Sequence, residues 1–376
     1  MKPEEIIEAY RKVGGRVETR GKVELASKED FALFYTPGVG TVSKHLAAHP
    51  EDARDLSIKR NSVAVVSDGT AVLGLGDIGP YGALPVMEGK ALIFKQLAGI
   101  DAWPIVLDTK DPDEIVRTVL AIAPSFGGIN LEDIKAPECF DIEKRLIDAL
   151  NIPVMHDDQH GTAIVVLAGL VNAAKVVGKE LKEMRVVVLG AGAAGAAVAK
   201  LLAAHGVKDI VAVDRAGVIS KNREGLSGVK KELAVLSPRD VSGTLADALS
   251  GADVFIGVSG PNLVTEDEIR TMNAGAIVFA LSNPVPEIMP EVALRAGAAV
   301  VATGRSDFPN QINNALVFPG VFRGAFDGNV RKITDEIKLR AAYALAALVE
   351  SPTKDSIIPE VLDARVVPAV ANAVRG

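Results

Sequence analysis

Two pairs of adjacent carboxylates carry the first chemical signal. The apolar run 128–131 leads directly into Glu132-Asp133, and the run 152–155 leads through His156 into Asp157-Asp158. The segment between them, residues 137–150, reads as one helix, the kind of crossover that joins parallel strands. Parallel neighbours bring all four acids to one C-terminal sheet edge, where open α/β sheets bind ligands. Carboxylates so crowded resist full ionisation unless a cation joins them. Mg²⁺ or Mn²⁺ takes oxygen ligands and needs only a few from protein. Helix capping and solvated loop ends are the competing explanation. Zinc fits less well, because only His156 and His160 lie nearby.

Other residues suit proton transfer or polar recognition. Lys90 sits in the otherwise apolar, helix-like stretch LPVMEGKALIFK. Burial beside cations would lower its pKa toward that of a useful base, and carboxylates would oppose this. Lys95 shares the segment, and a snorkelling surface lysine is the alternative. Tyr35 lies in the FYTPGVG loop, placed either to act as an acid or simply to pack. Asn283, in SNPVP, and the pair Asn313-Asn314 offer amides for a carboxylate, a carboxamide or a ribose; turn formation competes for each.

GxGxxG occurs twice. In Gly190-Ala191-Gly192-Ala193-Ala194-Gly195 an apolar strand precedes the loop, a helix follows, and a second strand ends in Asp214, 19 residues past Gly195. That is the context in which glycines admit a pyrophosphate to a helix N-terminus and an acid meets ribose hydroxyls. Asp214 inclines the reading to NAD, while its neighbour Arg215 offers a 2′-phosphate partner and leaves NADP open. The other copy, Gly74 to Gly79, is followed by Pro80 and Gly82. The expectation there is a tight turn with no regular helix opening on Gly79.

These residues need an α/β framework. Strands are expected at 63–66, 104–107, 128–131 and 152–155, with helices at 113–122 and 137–150. A long helix is expected over 161–177, followed by a βαβ unit over 185–213 and strands at 254–258, 277–281 and 299–302. The first 60 residues read as helices around one loop. The sequence therefore predicts an N-terminal α/β catalytic domain with parallel strands (1–160), a Rossmann-type doubly wound dinucleotide-binding domain (161–333), and a C-terminal helical tail (334–376) packing back on the first. Length supports at least two domains, since the chain has 376 residues. With 41 basic and 48 acidic residues, its net charge of −7 argues against general nucleic-acid binding. The one cysteine, Cys139, forms no internal disulfide, and the charged N-terminal helix is unlike a signal peptide. The apolar run 163–171 is too short to span a membrane. A cytoplasmic setting is the expectation.

Taken together, FYTPGV, SDGTAVLGLGDIGPYGALPVMEGK, GGINLEDI, HDDQHGT, GAGAAG, SNPVPE and NNALVFPG resemble malic enzyme, in the family's order over nearly the whole chain. The length is similar to the compact prokaryotic form. The resemblance implies oxidative decarboxylation of (S)-malate to pyruvate and CO₂ with reduction of NAD or NADP, dependence on Mg²⁺ or Mn²⁺, decarboxylation of oxaloacetate, and a homodimer. It implies Glu132, Asp133 and Asp158 as metal ligands, Lys90 as general base, Tyr35 as general acid and Asp157 as the group tuning the lysine. Asn283 and Asn314 match substrate or nicotinamide contacts. Larger members carry a malate-clamping arginine where this chain has Ala71. Two rival readings are a metal-independent, lysine-based amino-acid dehydrogenase and a non-catalytic nicotinamide-nucleotide sensor.

Overall fold

Short, mostly apolar runs build two sheets. The computed structural model describes residues 2–239 and 241–376. Strands β1 (Ser62–Ser67), β2 (Asp101–Val106), β3 (Gly128–Leu131) and β4 (Val154–His156) pair in parallel, in the order β2-β1-β3-β4. Every residue of β1 is buried, as expected for a parallel strand covered on both faces. The crossovers are the helices Gly79–Ala98, Pro112–Ile122 and Glu138–Ala149.

The second sheet holds β5 (Arg185–Leu189), β6 (Asp209–Asp214), β7 (Gly217–Val218), β8 (Val254–Gly257), β9 (Ile277–Ala280) and β10 (Val300–Thr303), in the order β10-β9-β8-β5-β6-β7. This is a doubly wound order, with its direction reversing between β5 and β8. The edge strand β7 is antiparallel to β6 and was absent from the sequence reading. At two residues it is too short to leave a hydrophobic period.

The helix Asp157–Val177 starts before the expected Gly161 and takes both aspartates into its first turn, where free backbone N–H groups favour acids. It is long and apolar enough to cross a membrane by length and composition, yet 67% of its apolar window is buried inside the protein. It packs against the helices Ala193–His205 and Asp335–Ala347, so its all-round apolarity is that of a core element.

The Gly74–Gly79 segment departs from expectation. The 20-residue helix Gly79–Ala98 opens on its last glycine. Pro80 is tolerated because a first-turn N–H would have no helical partner anyway. The turn does bring backbone close to another segment, since a Cβ at Gly74 would run into the Asn283 carbonyl.

At the C-terminus the Thr334 hydroxyl caps Asp335–Ala347 by accepting the Ile337 N–H at 3.4 Å. The helix Val366–Arg375 packs on Phe318–Asp327, which in turn lies against Gly79–Ala98. The N-terminal helices Pro3–Val13, Lys28–Phe34 and Gly38–Ala48 are different: no residue from 2 to 61 is buried. The expected Tyr-Thr-Pro-Gly loop shrinks to residues 35–37 between two of these helices.

Candidate active site

Register puts the acids side by side. Leu131 of β3 pairs with His156 of β4, so Glu132 stands beside Asp157, and Asp133 beside Asp158, just past the paired ends. Ligand atoms of Glu132, Asp133 and Asp158 all lie within 4.8 Å of one another. Asp133 adopts φ +54°, a left-handed conformation that turns the chain at the strand end, and its N–H donates to Asp158 Oδ2 at 2.8 Å. The Asn130 amide holds Glu132 Oε2 at 3.0 Å.

Lys90 reaches this cluster from Gly79–Ala98 and is itself buried. Its Nζ lies 3.0 Å from Glu132 Oε1, donates to Asp157, and sits 4.3 Å from the Phe318 ring centroid. Burial acts to lower the Lys90 pKa, but Asp157, Glu132 and Asp158 outweigh it and hold the ammonium above its usual range. Burial pushes Asp157 up to about 6 against the pull of Lys90. Burial and then Asp158 push Asp133 up to about 8. Glu132 is raised well above the carboxylate range, chiefly by burial. Asp133 Oδ2 and Asp157 Oδ1 are buried with no hydrogen-bond partner. Three acids of restricted solvation, one with a free oxygen, form the oxygen donor set a divalent cation takes, so the residues present fit that group. Lys95 pairs instead with Asp101 at 2.6 Å on the surface.

Gly161, one turn past Asp157, leaves the space that the Asp157 carboxylate occupies; a Cβ there would fall on Oδ1. Glu143 was missed by sequence reasoning. It occupies the buried stripe of Glu138–Ala149 with Cys139, Ile142 and Leu146. It accepts the His156 N–H at 2.7 Å and the Gln159 amide at 3.0 Å, and pairs with the His160 ring at 3.1 Å. The available signal was an acid at a helical position otherwise reserved for apolar residues. Glu287, also missed, is fully buried and accepts the Ser259 and Ser282 N–H groups at 2.9 and 3.1 Å, tying together two crevice loops.

A cleft of about 310 Å³ opens on the acids, with Lys90, Thr162, Asn283, Asn313 and Asn314 in its wall. Asn313 serves the turn by accepting the Ala315 N–H at 2.9 Å, while Asn314 lines the cleft. The second cleft, about 700 Å³, is lined by Gly190, Gly192, Asp214 and Arg215, and it shares Val258 and Ser259 with the first. A Cβ at Gly195 would strike the Gly190 carbonyl, whereas Gly192 faces open space, so the loop fits a pyrophosphate. Ala193 begins the helix and Ala194 lines the acidic cleft. Tyr35 is not among the residues lining either cleft: it is 58% exposed and packs edge-on to Phe31, with ring centroids 5.2 Å apart.

The chain matches known proteins along its length. The family profile of the malic enzyme N-terminal domain matches residues 14–147, and that of the malic enzyme NAD binding domain matches residues 159–375. An "NAD-dependent malic enzyme" of Geobacillus stearothermophilus is 54% identical over 96% of this chain and 76% of its own length. An "NADP-dependent malic enzyme" of Halomonas elongata is 46% identical over 96% of this chain and 90% of its own. The crystal structure of the NAD-dependent malic enzyme from Thermotoga maritima superposes with a TM-score of 0.95 at 49% identity, covering 98% of both chains. By sequence and by fold alike, the chain belongs to the malic enzyme family.

Proposed function

We propose that this chain converts (S)-malate to pyruvate and CO₂ with reduction of NAD(P)⁺, depends on a divalent cation, and also decarboxylates oxaloacetate. The observation that carries the reading is the convergence of Glu132, Asp133 and Asp158 within 4.8 Å, beside Lys90 and in a cleft continuous with the dinucleotide groove. An amino-acid dehydrogenase or a nucleotide sensor has no use for that cluster. The functional units follow as residues 1–160 for metal and substrate, 161–333 for the dinucleotide, and 334–376 as a covering tail.

Glu132, Asp133 and Asp158 are the proposed ligands. A divalent cation held there supplies Lewis-acid chemistry at the substrate's C2 oxygen, and a bound nicotinamide supplies a hydride acceptor. Lys90 Nζ takes the C2 hydroxyl proton. The carboxylates that keep Lys90 protonated are Asp157 and the proposed ligands Glu132 and Asp158, so charge placed on that ligand set would act directly on the lysine's proton affinity. Asp157 holds Nζ in place. Asn283 and Asn314 present amide N–H groups to a substrate carboxylate, the task left open by Ala71. The C3–C4 bond breaks with loss of CO₂, and Tyr35 returns a proton to C3.

Tyr35 performs that step from a second copy of the chain. Ile7, Val13, Phe31, Leu33 and Phe34 expose apolar surface on helices with no buried residue, and Tyr35 does so just past the second of them. A homodimer covers this surface and carries the tyrosine into the partner's cleft. The proposed compartment is the cytoplasm, in keeping with the buried free thiol of Cys139.

The deciding assay follows NAD(P)H absorbance with malate, with and without Mn²⁺, and after EDTA. Turnover requires the cation; unaltered turnover in EDTA would remove the metal assignment.

A further inference from the structure

The adenosine end of the dinucleotide groove carries information that the glycine motif does not. Asp214, the acid read from sequence as a ribose acceptor, is already saturated. Its Oδ1 accepts the Ala216 N–H at 2.9 Å and Arg223 Nη1 at 2.8 Å. Its Oδ2 accepts Arg223 Nη2 at 3.0 Å and Lys230 Nζ at 2.7 Å. A carboxylate offers about four acceptor sites, and all are used here. The Arg223 pair is bidentate, the geometry hardest to displace. A ribose diol gains a hydrogen bond to Asp214 only by breaking one of these.

The surrounding charge points the same way. Arg223, Lys230 and Arg215 all line the groove, and Asp214 supplies one opposing charge. Arg215 forms no ion pair among the described residues. Three cations against one anion leave a net charge of about +2 facing the ribose position.

Building on the nicotinamide-dependent reading above, we infer that this corner is a 2′-phosphate site, formed by Arg215, Arg223 and Lys230 with Asp214 as their anchor, so that the chain binds NADP⁺ more tightly than NAD⁺. Asp214 then acts as a positioning residue: it aligns two cations and does not itself touch the ribose. A dianionic phosphate matches the local excess charge, and the guanidinium and ammonium groups supply the donors.

Binding calorimetry on the whole protein tests this without relying on turnover. The titrants are NADP⁺, NAD⁺, 2′,5′-ADP and 5′-AMP. The expected result is that 2′,5′-ADP binds at least about tenfold tighter than 5′-AMP, with NADP⁺ over NAD⁺ in the same order. Arg215→Ala, an exposed change that leaves the Asp214 network intact, should reduce this preference severalfold. Lys230→Ala should reduce it further, and Arg223→Ala most of all. Equal binding of 2′,5′-ADP and 5′-AMP, or tighter NAD⁺, would overturn the inference while leaving the enzyme reading in place. Failure of both dinucleotides to bind would bring down the enzyme reading as well.

Discussion

Replacing Glu143 should loosen the metal site without touching a ligand. Its carboxylate gathers the His156 N–H, the Gln159 amide and the His160 ring, three groups on the segment that carries Asp157 and Asp158. Glu143→Ala strands them in a buried setting at about 1–3 kcal/mol each, and water entry recovers part, so a loss of about 3–5 kcal/mol in urea unfolding is expected. Glu143→Gln keeps the shape and one acceptor, and should cost about 1–3 kcal/mol. Because the ligand-bearing turn starts at His156, the Gln variant should bind Mn²⁺ about 10–100-fold more weakly, as for other groups that orient metal ligands. Calorimetric Mn²⁺ titration of folded Glu143→Gln measures this directly. The acid limb supplies a second readout. Although burial opposes it, His160 and then His156 hold the Glu143 carboxyl down at about 2. Its stabilisation is therefore complete above the ordinary carboxylate range and is lost as pH falls toward 2. That is roughly 3 kcal/mol in wild type, and absent from the Gln variant. Wild-type Mn²⁺ affinity together with an unchanged acid limb in Glu143→Gln would refute the reasoning.

Gly161→Ala places a methyl on the Asp157 carboxylate and should push it off Lys90, lowering kcat by about 100-fold and moving the Lys90 limb of the pH–rate profile to lower pH; an unshifted profile would count against the Asp157 role. With no cation bound, the raised Asp133 works against the fold at neutral pH: it costs the fold nothing below the ordinary carboxylate range, and stability is lost progressively as pH rises through that range toward about 8. Mn²⁺ should therefore raise the melting temperature more at pH 8 than at pH 6, and a pH-independent gain in scanning calorimetry would contradict this. Mixing Tyr35→Phe and Lys90→Ala proteins after subunit exchange should restore malate turnover toward about a quarter of wild type, because each hybrid dimer keeps one intact site; no recovery despite exchange shown by mass spectrometry would place the tyrosine in its own chain's cleft.

Much of this protein is legible without coordinates, because its strongest signals are local. Strand β3 coincides with its expected bounds, and strand β5 opens the βαβ unit where it was expected, since short apolar runs ending in glycine or acid have few alternative uses. Parallel pairing of β3 and β4, and with it the carboxylate edge, follows from the intervening helix length. Local patterning misjudged elements whose ends are decided by neighbours. Pro80 looked like a barrier to helix but sits in an opening turn, and Asp157 looked like loop but starts a core helix. Only the folded chain settles which groups share charge. Whether Lys90 is a poised base or a held ammonium depends on Asp157 and Glu132, 67 and 42 positions away along the chain. Whether Asp214 faces a ribose or is already engaged depends on Arg223 and Lys230, which no glycine motif specifies. Backbone preference acts over a few residues and can be read from order along the chain. Electrostatics acts through space between charges withdrawn from water, so it exists only once packing has brought them together.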